Sequence, residues 1–428
     1  MDFKQQYSWE FLSPEEIEQR SIRALRNHIR HIRQISPWYG EKLENIEPDD
    51  IKTVDDFRLI PFTERKDLEG NPDCFHCVTE EQIVETVITE TQNRKQIPFI
   101  LTVTDLDRIA YYEALSFHST GINSSDRAQI LVNMDMMSNI AMAYYRGLIT
   151  LGVNTMRSGL LPVDMHKYNI QSLSPTVLIG EPSYLKKLAV ELQKFSFDTR
   201  NSSVEKLICT VESLRTPDMN LSPNGNILEE LWGAQIYSTY TSPEISASYC
   251  DCTEQNGGHS HPELVFTEII DEKGNSVPDG TTGELVATPL GVEGMPLLRY
   301  KTGDITFAVS GKCSCGRNSI RIGPILGKKS QLFKLNGTTV YPLTITNALD
   351  QLDEVKDYIL IVENESSLTD RVFLHVAAPA SCIEKISNQI RTAANVSFPI
   401  LISNTTTIQA FRKNPGKNMH ILDCRKKG

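Results

Sequence analysis

Between residues 80 and 330, short apolar runs alternate with helical patterns, and that alternation restricts the chain to layered α/β architecture with largely buried strands. The runs at 128–132, 176–179 and 206–209 read Ala-Gln-Ile-Leu-Val, Thr-Val-Leu-Ile and Lys-Leu-Ile-Cys. From residue 263 the texture changes to strands and glycine turns, with strands expected at 264–270 and 283–288. After residue 330 come a hairpin, a helix near 343–349, strands at 358–362 and 372–376, and a helix at 382–393. That is a small α+β unit of about a hundred residues, an ordinary domain size. A chain of 428 residues is too long for one compact core. The expected division is therefore 1–330 as a large α/β domain with a β-rich region and 331–428 as a small α+β domain.

Near the start, Ser13-Pro14-Glu15-Glu16 reads as a helix cap, with proline in the first turn and a glutamate three residues past the serine. Ile17, Ile22, Leu25, Ile29 and Ile32 follow at helical spacing, and Pro37 closes the pattern. Hydrophobic residues make up 40% and charged residues 23%, a globular balance. The net charge of -11 argues against a nucleic-acid partner, which needs a basic face to displace phosphate counterions. No apolar run approaches the roughly 20 residues that span a bilayer. An N-terminus without an apolar signal core and nine cysteines expected to stay reduced point to the cytoplasm.

Four separated segments carry the chemistry. They are Tyr240-Thr241-Ser242-Pro243-Glu244, the run Pro296-Leu297-Leu298-Arg299-Tyr300-Lys301-Thr302-Gly303-Asp304, the stretch from Ile325 to Gln331 continuing through Lys334 to Pro342, and Gly416-Lys417 followed by Ile421 to Arg425. Their types, order and spacing resemble the phenylacetate–CoA ligase-like family of acyl-adenylate-forming enzymes. The resemblance implies an adenylate-forming fold with a small mobile C-terminal domain. It implies activation of a small-molecule carboxylic acid by ATP through acyl-AMP, then transfer to the thiol of CoA. In that scheme Lys417 neutralises charge at the α-phosphate, as adenylation chemistry requires. Asp304 accepts hydrogen bonds from the ribose hydroxyls, since an ionised carboxylate offers only acceptors. Glu244 helps to hold Mg²⁺, a hard cation that prefers oxygen. Tyr240 stacks on adenine or packs in the core, Thr241 and Ser242 share its loop, and Lys328 stands where the family carries an arginine. Gln331 falls at the pivot about which the small domain turns between the two half-reactions.

The phosphate loop departs from the family. Where the family has a serine-, threonine- and glycine-rich stretch, this chain reads Glu90-Thr91-Gln92-Asn93-Arg94-Lys95-Gln96. Either Arg94 and Lys95 grip the pyrophosphate through side-chain charge, or triphosphate binding is impaired. Thr241 likewise replaces a glycine, and Lys328 offers a point charge instead of a planar fork. These departures keep two other readings open: an adenylating ligase whose acceptor is an amine or a carrier-protein thiol, and a catalytically weak nucleotide-binding protein. Homodimer formation is left open. Asn133 to Met137 falls where the family lines its acyl pocket, and its methionines suit an apolar tail or ring as well as they suit a core.

Cysteine and histidine cluster at 250–261 and 313–315. Two short loops meeting is a common way to supply the four ligands of structural zinc. The family pattern selects Cys252, His259, Cys313 and Cys315 and leaves out Cys250 and His261. Cys74 and Cys77 have a similar spacing but no partner cluster, so their role is structural.

Overall fold

The computed structural model describes residues 9–425 except 91–95, 135–139, 310, 336–337, 366–368 and 413–419. Contacts divide the chain into two compact units: Met1–Asn220 with Gly225–Thr302 and Thr306–Pro324, and Leu221–Asn224 with Gly303–Ile305 and Ile325–Gly428.

The first unit begins with helix Pro14–Ile35, capped by Ser13 and Glu16 in a reciprocal capping box. Its buried face carries Ile22, Leu25, Ile29 and Ile32. Pro37 does more than end this helix: it opens a second one, Pro37–Lys42, with Ser36 as cap. Proline suits a first helical turn, where the amide it lacks would be unpartnered anyway.

An eight-stranded sheet organises the unit, in the order Arg321–Ile322, Gly258–His259, Ala247–Asp251, Gln235–Ser242, Lys206–Cys209, Val177–Gly180, Arg127–Ile130 and Asn154–Arg157. Its five strands from Gln235–Ser242 onward run parallel, while the pairings of Gln235–Ser242 with Ala247–Asp251 and beyond are antiparallel. Every residue of Val177–Gly180 is buried. Successive side chains point to opposite faces, so both faces of the sheet are covered there. On one face Phe117, Tyr144 and Leu148 pack against Ala128, Ile130, Val177, Ile179 and Ile208. Outside that sheet, Val265–Ile270 pairs antiparallel with Gly283–Pro289. The strands expected at 206–209 and 264–270 thus form at Lys206–Cys209 and Val265–Ile270.

In the second unit, the antiparallel pair Asp357–Asn364 and Asp370–Ala377 is flanked by the parallel edge strands Ile421–Asp423 and Ile400–Ile402. One face packs Leu360, Val362, Leu374 and Val376 against Ile345, Leu349, Ile386 and Ile390. The other packs Ile359 and Ala377 against Ile408. Alternating apolar residues on the central pair therefore serve two small cores. Arg425, just past the last strand, donates to the carbonyls of Ser330 and Leu332 and to Asp370 and Asp423.

Candidate functional site

Ligands of open α/β sheets bind outside the carboxyl ends of the parallel strands, and two such ends are distinctive here. After Lys206–Cys209 the chain makes a tight turn in which Glu212 N–H donates to the Thr210 carbonyl at 2.8 Å. Its central residue, Val211, has φ +73 and is 70% exposed. A β-branched residue in that region is strained, and such turns cluster at ligand sites. No glycine marks the position, which is why the sequence alone passes over it.

The neighbouring strand Gln235–Ser242 carries Tyr240, Thr241 and Ser242 and leads into the turn Pro243–Ile245 with Glu244. Tyr240 is half-buried and its ring lies 6.0 Å from that of Tyr249. Thr241 has a definite task. Its hydroxyl lies 3.1 Å from the Tyr144 hydroxyl, which in turn lies 2.8 Å from Thr210. Thr241 also meets Ser248 at 2.9 Å, and Ser248 donates to the buried Glu113 carboxylate. A glycine at 241 would break this polar chain, which joins both strand ends to the core. Burial raises the Glu113 carboxyl to about 7, and the Ser248 hydrogen bond only partly opposes it. Its second oxygen has no hydrogen-bond partner among the described residues.

Ser242 donates to one oxygen of Glu244 at 2.7 Å, and Arg65 donates to the other at 2.8 Å. Sequence reasoning missed Arg65, because its partner lies 179 residues away. Each Glu244 oxygen thus carries one donor and keeps a further lone pair. Asp304 follows Gly303, whose φ of +73 turns the strand, and is almost fully buried. Lys328 holds its carboxylate at 2.7 Å, through the antiparallel pairing of Asp304 with Lys328. Arg94, Lys95 and Lys417 lie outside the described residues. So do the methionines at 136 and 137, whereas Met134 packs against the sheet core.

Arg299, quoted only as part of a motif, turns out to be a staple. It forms a bidentate pair with Glu268, at 3.0 and 2.8 Å, and donates to the carbonyls of Arg58 and Ile60.

Cys252, His259, Cys313 and Cys315 converge, all four ligand atoms within 4.8 Å of one another. Pairing of Arg321 with His259 brings their two loops together. The Cys252 and Cys313 sulfurs lie 3.6 Å apart, and the Cys315 sulfur lies 3.5 Å from His259 Nε2. A zinc tetrahedron with bonds near 2.3 Å has edges of about 3.8 Å, so the donors fit one. His259 Nδ1 lies 2.9 Å from the Ser319 hydroxyl, which orients the ring. Hydrogen bonding from Cys252, reinforced by His259, holds the Cys315 thiol far below its usual range. Cys250 and His261 stay out of the cluster: His261 bonds Ser116 and Glu10 instead. Cys74 and Cys77 join no such group among the described residues. All nine cysteines are free, and no described helix is long and apolar enough to cross a membrane.

No protein-family model matches the chain. It aligns with the phenylacetate-coenzyme A ligase of Thermus thermophilus at 25% identity over 445 residues, covering 97% of this chain and 98% of that one. The Pseudomonas putida protein of the same name is also 25% identical, over 434 residues, covering 97% and 96%. Among solved structures, a 2-hydroxyisobutyryl-CoA ligase in the postadenylation state, in complex with R3-HIB-AMP, superposes with a TM-score of 0.85 at 20% identity, over 97% of this chain and 91% of that one. The chain is thus similar over nearly its whole length to phenylacetate-coenzyme A ligases, and it shares its fold with a 2-hydroxyisobutyryl-CoA ligase.

Proposed function

We propose that the protein is an AMP-forming acid–CoA ligase. One observation carries this reading: the chain aligns almost end to end with CoA ligases. The buried Asp304 carboxylate, held by Lys328, supports it as a seat for a ribose. A carboxylate oxygen of the substrate attacks the α-phosphorus of ATP, the bond to the β-phosphate oxygen breaks, and pyrophosphate leaves. Lys417 neutralises the charge that builds there, while Asp304 holds the ribose. The CoA thiol sulfur then attacks the acyl carbon, AMP leaves with the bonding electron pair, and the thiol proton passes to solvent. The small C-terminal domain, carrying Lys417, turns about Gln331 between the steps. Glu244 would help to hold magnesium carried by the phosphates of ATP, where the ion would screen their charge. Cys252, His259, Cys313 and Cys315 would hold a zinc ion, and its role would be structural, since four protein donors leave no position for substrate.

Exchange of labelled pyrophosphate into ATP, run with a panel of carboxylic acids, tests the reading. Lys417→Ala lowers exchange by roughly 100-fold or more, the scale for losing a charge-stabilising group. The same variant still converts supplied acyl-AMP and CoA to thioester. Equal loss in both steps removes Lys417 from the adenylation role. Wild-type protein without exchange for any acid favours a nucleotide-binding protein instead, and products formed with amines or a carrier protein redirect the second step.

A further inference from the structure

The phosphate-loop segment Glu90-Thr91-Gln92-Asn93-Arg94-Lys95-Gln96 contains no glycine. Backbone cradles for phosphate rely on glycine to let N–H groups close around the oxygens. A chain that uses ATP without one must hold the phosphates through side chains. At the root of this same hairpin a guanidinium is already fixed. Arg65 Nη1 donates to Glu244 at 2.8 Å, and Nη2 donates to the Thr89 hydroxyl at 3.4 Å. Thr89 is the penultimate residue of strand Glu85–Glu90, which leads into that segment. Nε of Arg65 is buried, lies 3.6 Å from Glu69 and has no hydrogen-bond partner among the described residues.

We propose that Arg65 holds the triphosphate of ATP in place of the missing glycine cradle, and that Glu244 anchors it before the nucleotide arrives. The inference rests on the ligase reading. Three features of the group suit the task. Its planar fork matches two phosphate oxygens at once. Its side chain is 30% exposed, so a ligand can reach it, and Glu244 is 11% exposed beside it. Its charge faces two carboxylates, Glu244 at 2.8 Å and Glu69 at 3.6 Å, and a triphosphate with several negative charges is the stronger attractor. Thr89 keeps the guanidinium from following Glu244 when that exchange occurs.

Calorimetric titration of Arg65→Ala with ATP and with AMP, neither needing turnover, tests the proposal. The expected result is a roughly 10- to 100-fold loss for ATP, the scale of a charged hydrogen-bonded contact, with AMP affinity unchanged. The KM for ATP in pyrophosphate exchange rises by the same factor, while thioester formation from supplied acyl-AMP keeps its wild-type rate. Arg65→Lys retains the charge without the fork, and the expected loss for ATP is intermediate. Glu244→Gln removes the competing carboxylate, so magnesium-free ATP binds at least as tightly as to wild type. Equal losses for ATP and AMP in Arg65→Ala, or none, overturn the proposal. Weaker magnesium-free ATP binding in Glu244→Gln overturns the exchange of the carboxylate for phosphate. If wild type lacks exchange with every acid but Arg65→Ala still loses ATP selectively, the ligase reading fails and the phosphate contact stands.

Discussion

Two arginine–glutamate pairs in the first unit are made of the same groups and do opposite things. Arg299 and Glu268 are each about 1% exposed, joined by a bidentate pair, and the guanidinium is filled out by backbone carbonyls. Phe62 lies 4.1 Å beneath that guanidinium. Arg65 and Glu244 share one direct hydrogen bond and sit at 30% and 11% exposure, and Arg65 Nε, 3.6 Å from Glu69, has no hydrogen-bond partner among the described residues. A saturated buried pair cannot change partners without exposing two charges to a low-dielectric interior. The half-open pair can, because water covers the intermediate state. The first joins the segment around Arg58 and Ile60 to the sheet; the second is free to respond to a ligand. The Cys252, His259, Cys313 and Cys315 cluster belongs with the sealed kind, and Asp304 with Lys328, itself 50% exposed, belongs with the open kind.

The sharpest way to break this division is at the sealed end. Protein purified without added metal is expected to carry about one zinc per chain, measured by atomic absorption. Replacing Cys313 and Cys315 together by Ala removes it and lowers the melting temperature by the largest margin of any variant here, because metal binding is coupled to folding. Unchanged melting in metal-free protein would move the cluster out of the structural class. Next comes Arg299→Ala, which strands a buried carboxylate and costs about 3–5 kcal/mol in urea denaturation.

Glu113 tests burial without a counter-ion. Its carboxyl is raised from 4.5 to about 7 on folding, so between those values the folded chain keeps a proton that the unfolded chain has lost. The sign follows: this group makes stability fall as pH rises from about 4.5 to about 7, and its effect levels off above. Across that window the loss is roughly 3 kcal/mol, and Glu113→Gln abolishes the slope. Denaturation profiles at several pH values check this. The smallest effect is expected at Arg65, where replacement by Ala changes stability by less than about 1 kcal/mol, as for partly exposed pairs. A loss as large as that of Arg299→Ala would erase the distinction between the two pairs.

Much of the architecture was legible in the sequence because it is local. The box Ser13 to Glu16 caps its helix through contacts three residues apart, and the apolar run Lys206–Cys209 becomes a strand over the same residues. The four metal-type donors were also legible, since cysteine and histidine have few other reasons to cluster, although the choice against Cys250 and His261 came only with the family pattern. What the sequence could not show was partnership at long range. Arg299 finds Glu268, Arg58 and Ile60, and Arg65 finds Glu244, across separations that no periodicity encodes. Thr241 looks like a lost glycine until Tyr144, Ser248 and Glu113 are seen around it. By itself the sequence determined the elements and the chemical types available, because helix caps, apolar periods and ligand-bearing side chains are properties of neighbouring residues. Only the tertiary structure decided which charges are sealed and which stay open to a ligand, because burial and hydrogen-bond saturation are set by residues that the fold brings in from elsewhere in the chain.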